Sequence, residues 1–280
     1  MAISSDYLRI LNEIAKKVQI PSIKEIIVPI VDEKAKKSNF AAITLEDDTI
    51  GVFYIALTQE VKKEIVKIDS KDYKGISPLD LAMDFSSIEL YKKSLSMGCI
   101  NAISQYVFKK TNFPFDYTSD SLGLLNIKEK DVVGMVGFFP PLVSIIEKKR
   151  NQLIIIEKKK DLVKKEKNWV VTLDPAKLEK CKKVLITSIT IMNDTIDDIL
   201  KFCSNAKKIS IIGPTAGFLP DPLFKRGINV VGGTRIYDAK KFSQNIRNNI
   251  RWSSAGKKYI IKREKYVGYK ELLKKIPNEK

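Results

Sequence analysis

Three loops hold most of the side chains in this sequence that could do chemistry, and each follows a short apolar run. They are Gly137-Phe138-Phe139-Pro140, the stretch Thr187–Thr195, and Gly213-Pro214-Thr215-Ala216-Gly217. Thr187, Ser188 and Thr190 supply hydroxyls. Asn193, Asp194 and Thr195 are of the types that cap helices, and the free N–H groups of a helix start attract an anion or a carboxylate. Glu157 ends the apolar run Leu153–Ile156. An acidic side chain at that place holds a ribose in nucleotide-binding sheets of the doubly wound kind. The first loop is not the dinucleotide fingerprint. Gly134 and Gly137 are followed by Phe138 and two prolines, so the third glycine of G-x-G-x-x-G is missing and a pyrophosphate is not supported.

The sequence also excludes chemistry. It has no histidine among 280 residues, which removes His-containing triads and imidazole metal ligands. Cys99, Cys181 and Cys203 are far apart and form no C-x-x-C pair, so neither a disulfide framework nor a zinc ribbon is indicated. General acid–base work would fall to Glu157, a lysine or a tyrosine. A tight all-protein metal cage would need several convergent carboxylates or thiolates, which these loops lack.

The elements that position these loops can be read from periodicity. Val132–Val136 is a continuous apolar run, the pattern of a strand covered on both faces. Gly137 allows a tight bend, Pro140 and Pro141 pre-set a helix start, and Leu153–Ile156 comes next as a second strand. This is a βαβ unit and implies a parallel sheet. Val184–Thr187, Ile209–Ile212 and Asn229–Val231 continue it, with Thr195–Phe202 and Ala239–Asn248 as helices. Lys158–Lys167 reads as a solvated loop. Ahead of this half lie an amphipathic helix over Ser4–Val18, capped by Ser4 or Ser5, and strands over Glu25–Val31, Phe40–Leu45 and Ile50–Leu57. The last two form a hairpin around Glu46–Thr49. A helix starts at Ser77-Pro78, and another runs from Ser94 to Lys110. On the second, Gly98, Asn101, Ala102 and Gln105 share a face that lets another backbone come close. Asn101 there makes either a helix-to-loop hydrogen bond or a ligand contact. A short helix around Ser121–Leu125 is expected in the connector. The fold class is α/β, a Rossmann-like parallel sheet preceded by a smaller α+β domain.

Fifty Lys and Arg against thirty-three Asp and Glu give a net charge of +17. The lysines are widely spread, as on a solvated surface, with denser stretches at Lys148–Lys167 and Lys257–Lys280. Tyr259, Tyr266 and Tyr269 interleave with lysines in the latter, a composition that nucleic-acid surfaces use. The run Tyr259-Ile260-Ile261 suits an added strand, and a structural role for this segment is the favoured expectation. It is expected to be dispensable for the site. No apolar stretch is long enough to span a bilayer and no basic-then-apolar leader is visible, so a cytoplasmic protein without membrane contact is expected.

The runs SLSMGCINAISQ, DVVGMVGFFPPL, LIIIEK, ITSITIMNDTIDDIL and ISIIGPTAGFLPDPLFKRGINVVGG together resemble a heavy-metal chelation family of prokaryotic proteins. The resemblance extends from about Ile26 to Asn248. It implies an enolase-N-terminal-like α+β domain over residues 1–110 and a Rossmann-like domain over 111–256, with 257–280 as a basic tail. It also implies a cleft between the domains lined by Asn101, Phe139, Pro140, Glu157, Thr187, Ser188, Thr190, Asn193, Thr195, Gly213, Pro214 and Thr215, with Gly137 at its first turn. The chain departs from the family pattern at Phe138, where members often carry histidine, and at Ser188 and Ile189. Cys99 could lend a thiolate to the site, although a cysteine so placed is usually core.

The leading expectation is a protein that binds a small anionic or metal-chelating ligand in the cleft. The cofactor option left open is a metal ion bound together with the chelating ligand. No residue is assigned a catalytic role. Two other readings stand beside this one: an S-adenosylmethionine- or nucleotide-dependent enzyme, and a nucleic-acid-binding protein acting through the tail. The partner expected is a small molecule rather than nucleic acid, with homo-oligomerisation left open.

Overall fold

From Val133 onward, short apolar runs alternate with helices, and in a computed structural model they join into one eight-stranded sheet. The structure describes residues 2–30, 38–117, 122 and 124–277. Helix α1 (Ile3–Ala15) buries Tyr7, Ile10, Leu11 and Ile14 at helical spacing, but its N-cap is Ala2, and Ser4 is buried within the first turn. Strands β1 (Ile23–Ile27), β2 (Phe40–Leu45) and β3 (Ile50–Tyr54) form an antiparallel sheet in the order β1-β2-β3. Asp47 fixes the β2–β3 hairpin by accepting from Thr49 N at 3.1 Å and Thr49 Oγ1 at 2.8 Å. Pro29 lies just beyond β1, an edge strand, where its missing N–H costs no ladder bond. Val31, the expected end of that strand, falls outside the described residues.

Helix α2 (Gln59–Ile65) is additional to the sequence reading; Thr58 Oγ1 caps it by accepting from Val61 N at 3.2 Å. Helix α3 (Pro78–Ala82) starts on Pro78, as expected. Helix α4 (Leu90–Lys110) begins ahead of Ser94, and every residue from Lys93 to Phe108 is buried. A helix covered all round must lie inside the molecule. Here the small sheet is on one side and the loops of the large sheet are on the other. Gly98 and Gly51 make the first of these contacts, because a Cβ on either would overlap Phe53 or the α4 backbone.

In the expected connector helix, Ser121 and Gly123 lie outside the described residues, while Leu122 and Leu125 are buried. The large sheet then builds from β4 (Val133–Val136), α5 (Pro140–Lys148), β5 (Leu153–Ile156), β6 (Lys164–Lys165), β7 (Trp169–Thr172) and β8 (Lys183–Thr187). It continues through α6 (Ile189–Met192), α7 (Ile196–Lys201), β9 (Lys208–Ile212), α8 (Asp221–Lys225), β10 (Val230–Ile236), α9 (Ala239–Arg247), β11 (Gly256–Lys262) and α10 (Tyr269–Lys274). Its order is β11-β10-β9-β8-β4-β5-β7-β6. All pairings from β7 to β10 are parallel. Counting only those six strands, the sheet reads 3-2-1-4-5-6, the doubly wound order. The Lys158–Lys167 stretch is not simply a loop. It contains the antiparallel edge strand β6, whose two lysines discourage edge-to-edge pairing, and it leads into the unexpected parallel strand β7.

The segment after Gly256 is no appendage. It supplies β11, paired to β10 over seven residues, and the buried α10. Tyr259, 1% exposed, donates to Ala216 O at 3.2 Å and accepts from Gln105 Nε2 at 3.1 Å. Tyr266 Oη and Tyr269 N both donate to Asp221, at 2.7 and 2.9 Å. Removing this segment would strip apolar and aromatic groups from the core, which is the structural role favoured for it, and none of its residues lines the cleft described below. Residues 278–280 lie outside the described set. Among the described residues no helix is long and apolar enough to cross a membrane.

Candidate functional site: the cleft at the strand-order reversal

In the order 3-2-1-4-5-6 the chain leaves β4 toward one edge of the sheet and resumes at β8 toward the other. The two crossovers diverge above the β4 and β8 carboxyl ends and leave a crevice there. A cavity of about 590 Å³ occupies that crevice. Val136 and Ile156 line its apolar base, the Gly137–Phe139 turn forms one side, and Tyr54, Ala56 and Leu57 close it from the β3 end. It therefore lies between the small sheet and the large one.

Gly137 has φ +90°, a conformation that strains any residue with a Cβ, and Thr187 lies 3.2 Å from where that Cβ would be. The bend brings Phe138 N over Glu157, which accepts from it at 3.1 Å. The same carboxylate accepts from Lys158 N at 2.7 Å and Lys159 N at 3.4 Å. Burial, and then the charge of Glu157, push the pKa of nearby Tyr54 up, so this phenol stays protonated at neutral pH.

The turn offers no place for a pyrophosphate. Pro140 and Pro141 lack N–H groups, while Leu142 N and Val143 N both donate to Phe139 O, at 2.9 and 3.0 Å. Phe138 N is given to Glu157. Apart from Phe139 N, the donors that would cradle a diphosphate at this helix start are either missing or in use.

The Thr187–Thr195 stretch forms the opposite wall. Thr187 O accepts from Thr190 Oγ1 at 2.7 Å, and Thr187 Oγ1 accepts from Ile189 N at 3.4 Å. Asn193 Oδ1 accepts from Thr195 Oγ1 at 2.6 Å, leaving its Nδ2 without a protein partner among the described residues. None of Asn193, Asp194 or Thr195 makes a side-chain cap on α7, contrary to expectation; Thr195 is the N-cap by position only. Asp197 and Asp198 already complement the start of that short helix, which leaves no reason for an anion to bind there. Asp194, at φ +56°, instead pairs with Lys93 of α4.

Of the residues expected at the site, Gly137, Phe139, Glu157, Thr187, Thr190, Asn193 and Thr195 line the cavity. The others do not. Pro140 is exposed at the start of α5. Asn101 is fully buried, and its Nδ2 donates to Val52 O at 2.7 Å and Thr215 O at 2.8 Å. It makes the helix-to-loop bond and joins the two sheets. Ser188 and Thr215 are each 1% exposed, and Ser188 packs against Gly213. Pro214 faces a different cavity, of about 600 Å³, with Phe40 and Trp252. Tyr54, Lys158, Lys159 and Asp198 line the cleft and were not anticipated. The two lysines directly follow Glu157 and could have been found from that adjacency.

Among the described residues no soft-metal centre is preformed. Among the described residues no group of three or more Cys, Asp or Glu could hold a metal. Cys99 is core, and burial pushes its thiol well up; burial also takes Cys181 and Cys203 to about 12. None offers a thiolate at neutral pH. The residues do not fit a metal held by protein groups alone.

Strand order and crevice define a doubly wound α/β protein with a cleft at the strand-order reversal. The particular family follows from its sequence. A profile for the DUF364 family, described as "Putative heavy-metal chelation", matches residues 120–265, and the chain belongs to that family. An uncharacterised protein of Methanocaldococcus jannaschii is 28% identical over 182 residues, 64% of this chain and 69% of that protein. Crystal structures of DUF364 proteins from Pyrococcus horikoshii and Desulfitobacterium hafniense share the fold, with TM-scores of 0.63 and 0.66 and identities of 19% and 20%. Both superpositions cover 93% of this chain and 98% of the other.

Proposed function

We propose that the cleft binds a small anionic, metal-chelating molecule, and that any metal enters with it. The observation that carries this reading is the state of Glu157. Three backbone N–H groups occupy the carboxylate at the base of the rim, so what remains facing the cavity is richer in donors. Those donors are the Thr187 hydroxyl, Asn193 Nδ2 and the ammonium groups of Lys158 and Lys159. Asp198 is the other acid on the wall. Such a lining suits carboxylate or phenolate oxygens of a chelator, and the family description supports a role of this kind. The test is native mass spectrometry with elemental analysis of undenatured protein. A metal and an organic acid released together in equal amounts are expected; metal retained after the organic species has gone would overturn the proposal.

One observation favours a second reading. Glu157 ends the second strand of a 3-2-1-4-5-6 sheet, the place of the ribose-holding acid. S-adenosylmethionine has no pyrophosphate, so the proline turn does not exclude it. Co-purification of an adenosine-containing species without metal would decide for this alternative.

A further inference from the structure

We propose a second ligand site, separate from the cleft, in which Arg235 and Lys257 bind the phosphate of a small phosphorylated molecule. The two residues are direct cross-strand partners in the β10–β11 ribbon. Such partners project from the same face, and like charges placed so are destabilising. Among the described residues neither has a carboxylate partner. Instead the cations lie on aromatic rings: the Arg235 guanidinium is 5.4 Å from the Phe115 ring centre and donates to Tyr117 Oη at 3.3 Å, and Lys257 Nζ is 5.7 Å from the Tyr237 ring centre. Aromatic faces hold a cation without neutralising it. The pair is kept in place and left charged.

Both cations line a cavity of about 660 Å³. The other charged groups on its wall are already matched. Lys109 donates to Asp47 at 2.7 Å, and Asp48 is paired with Lys24 at the same distance. Burial would raise the Asp47 pKa, yet its hydrogen bonds from Lys109 and Thr49 bring it below the usual range, so this carboxylate stays ionised and bound to Lys109. Among the described residues, the unmatched charge of the cavity is thus the two positive charges of Arg235 and Lys257. A phosphate monoester or pyrophosphate supplies the opposite charge, and its oxygens match the guanidinium fork. Tyr117 and Tyr237, 49% and 60% exposed, leave ring faces beside the phosphate position for the rest of the molecule. Gln105 lies at the floor, with its Nε2 given to Gly217 O and Tyr259 Oη.

The test uses the full chain with three probes: pyrophosphate, inorganic phosphate and a short single-stranded oligonucleotide. Calorimetry should show one pyrophosphate per chain, and the double variant Arg235→Gln/Lys257→Gln should bind it at least about tenfold more weakly. Without ligand, Lys257→Gln should melt no lower than the parent, because a repulsive pair has been relieved. With pyrophosphate only the parent should gain in melting temperature. Asn193→Asp, a change in the cleft, should leave pyrophosphate affinity unaltered. Equal affinity of parent and double variant would overturn the site, as would loss of pyrophosphate binding in Asn193→Asp. Binding of the oligonucleotide alone would mean a general polyanion surface, and would also overturn it.

Discussion

The two cavities at opposite ends of strand β3, one reached by Tyr54 and the other by Ile50, handle charge in opposite ways. At the cleft, the carboxylate is on the protein and the backbone satisfies it: Glu157 is held by Phe138 N of the facing turn and by the N–H groups of Lys158 and Lys159. At the second cavity the cations are on the protein and, among the described residues, no carboxylate meets them: Arg235 and Lys257 stand opposite each other on aromatic rings. The first arrangement is largely satisfied by the backbone without a ligand, with three of about four acceptor positions of Glu157 in use. The second sets two like charges face to face, and on our proposal an anion balances them. A ligand that binds only the folded chain stabilises it at either site; at the second, an anion would in addition relieve the repulsion between the facing Arg235 and Lys257. Helix α4 links the two. Lys93 pairs with Asp194 at the cleft rim, and Gln105 lines the other cavity, roughly 18 Å along the helix at 1.5 Å per residue.

The largest expected effect breaks the comparison outright. Ending the chain after Ala255 removes β11, one wall of the second cavity, together with buried Tyr259 and Tyr269. We expect no cooperative melt by circular dichroism; a folded truncated protein would show that the large sheet is stable without its edge. Next comes Asn101→Leu, in the partition between the sheets. It leaves Val52 O and Thr215 O without a donor, at a cost of about 1–3 kcal/mol for each carbonyl that stays dry. Chemical denaturation measures this, and an unchanged midpoint would mean the partition relaxes around the loss.

A smaller effect sharpens the cleft alone. Asn193→Asp can still accept from Thr195 Oγ1, so its stability should match the parent's, while an anionic ligand should bind about tenfold more weakly, roughly 1.4 kcal/mol. Thr195→Val removes that hydroxyl and should weaken binding by about 0.5–1.5 kcal/mol. A lower melting temperature with unaltered affinity in both would mark the loop as structural only. The smallest effect is none at all. With Cys181 and Cys203 at about 12, only about 10⁻⁴ of each thiol is ionised at pH 8. Thiol reagents should label no cysteine until denaturant is added, and cadmium alone should not raise the melting temperature. A cadmium-induced rise would reveal a metal site made by the protein alone, and the cleft would then need no chelator.

Much of the large sheet was legible because strands buried on both faces are written as continuous apolar runs, as in Val132–Val136 and Leu153–Ile156. Strand β7 escaped because Trp169–Thr172 comes after ten mostly charged residues with no glycine or proline to mark its start. Missing it hid the 3-2-1-4-5-6 order, since periodicity says which residues form strands but not which strands are neighbours. The same gap explains the site. Thr187 and Gly137 end adjacent strands and do meet. Gly213 ends β9, one strand further out, and its loop turns toward α4 and another cavity. Glycine spacing showed that α4 is approached closely by another backbone; it could not show that the Asn101 amide nitrogen would be given to Val52 O and Thr215 O. Tyr54 could not be placed at all without knowing how the small sheet sits on the large one.

The hydrogen bonds that tie Tyr259 to Gln105 and Ala216 also set an order of events in synthesis. Helix α4 leaves the ribosome long before its last partner exists, for Gln105 and Tyr259 are 154 residues apart in sequence. Until β11 emerges, Gln105 has Gly217 O but lacks Tyr259, and the far end of α4 is without that buried ring; transiently exposed apolar surface of this kind favours aggregation. Closing so long a loop is entropically slow. Asn101 and Gln105 can already reach Thr215 O and Gly217 O before β11 is made, so the last of the described strands completes a joint between the sheets that the earlier loops have begun.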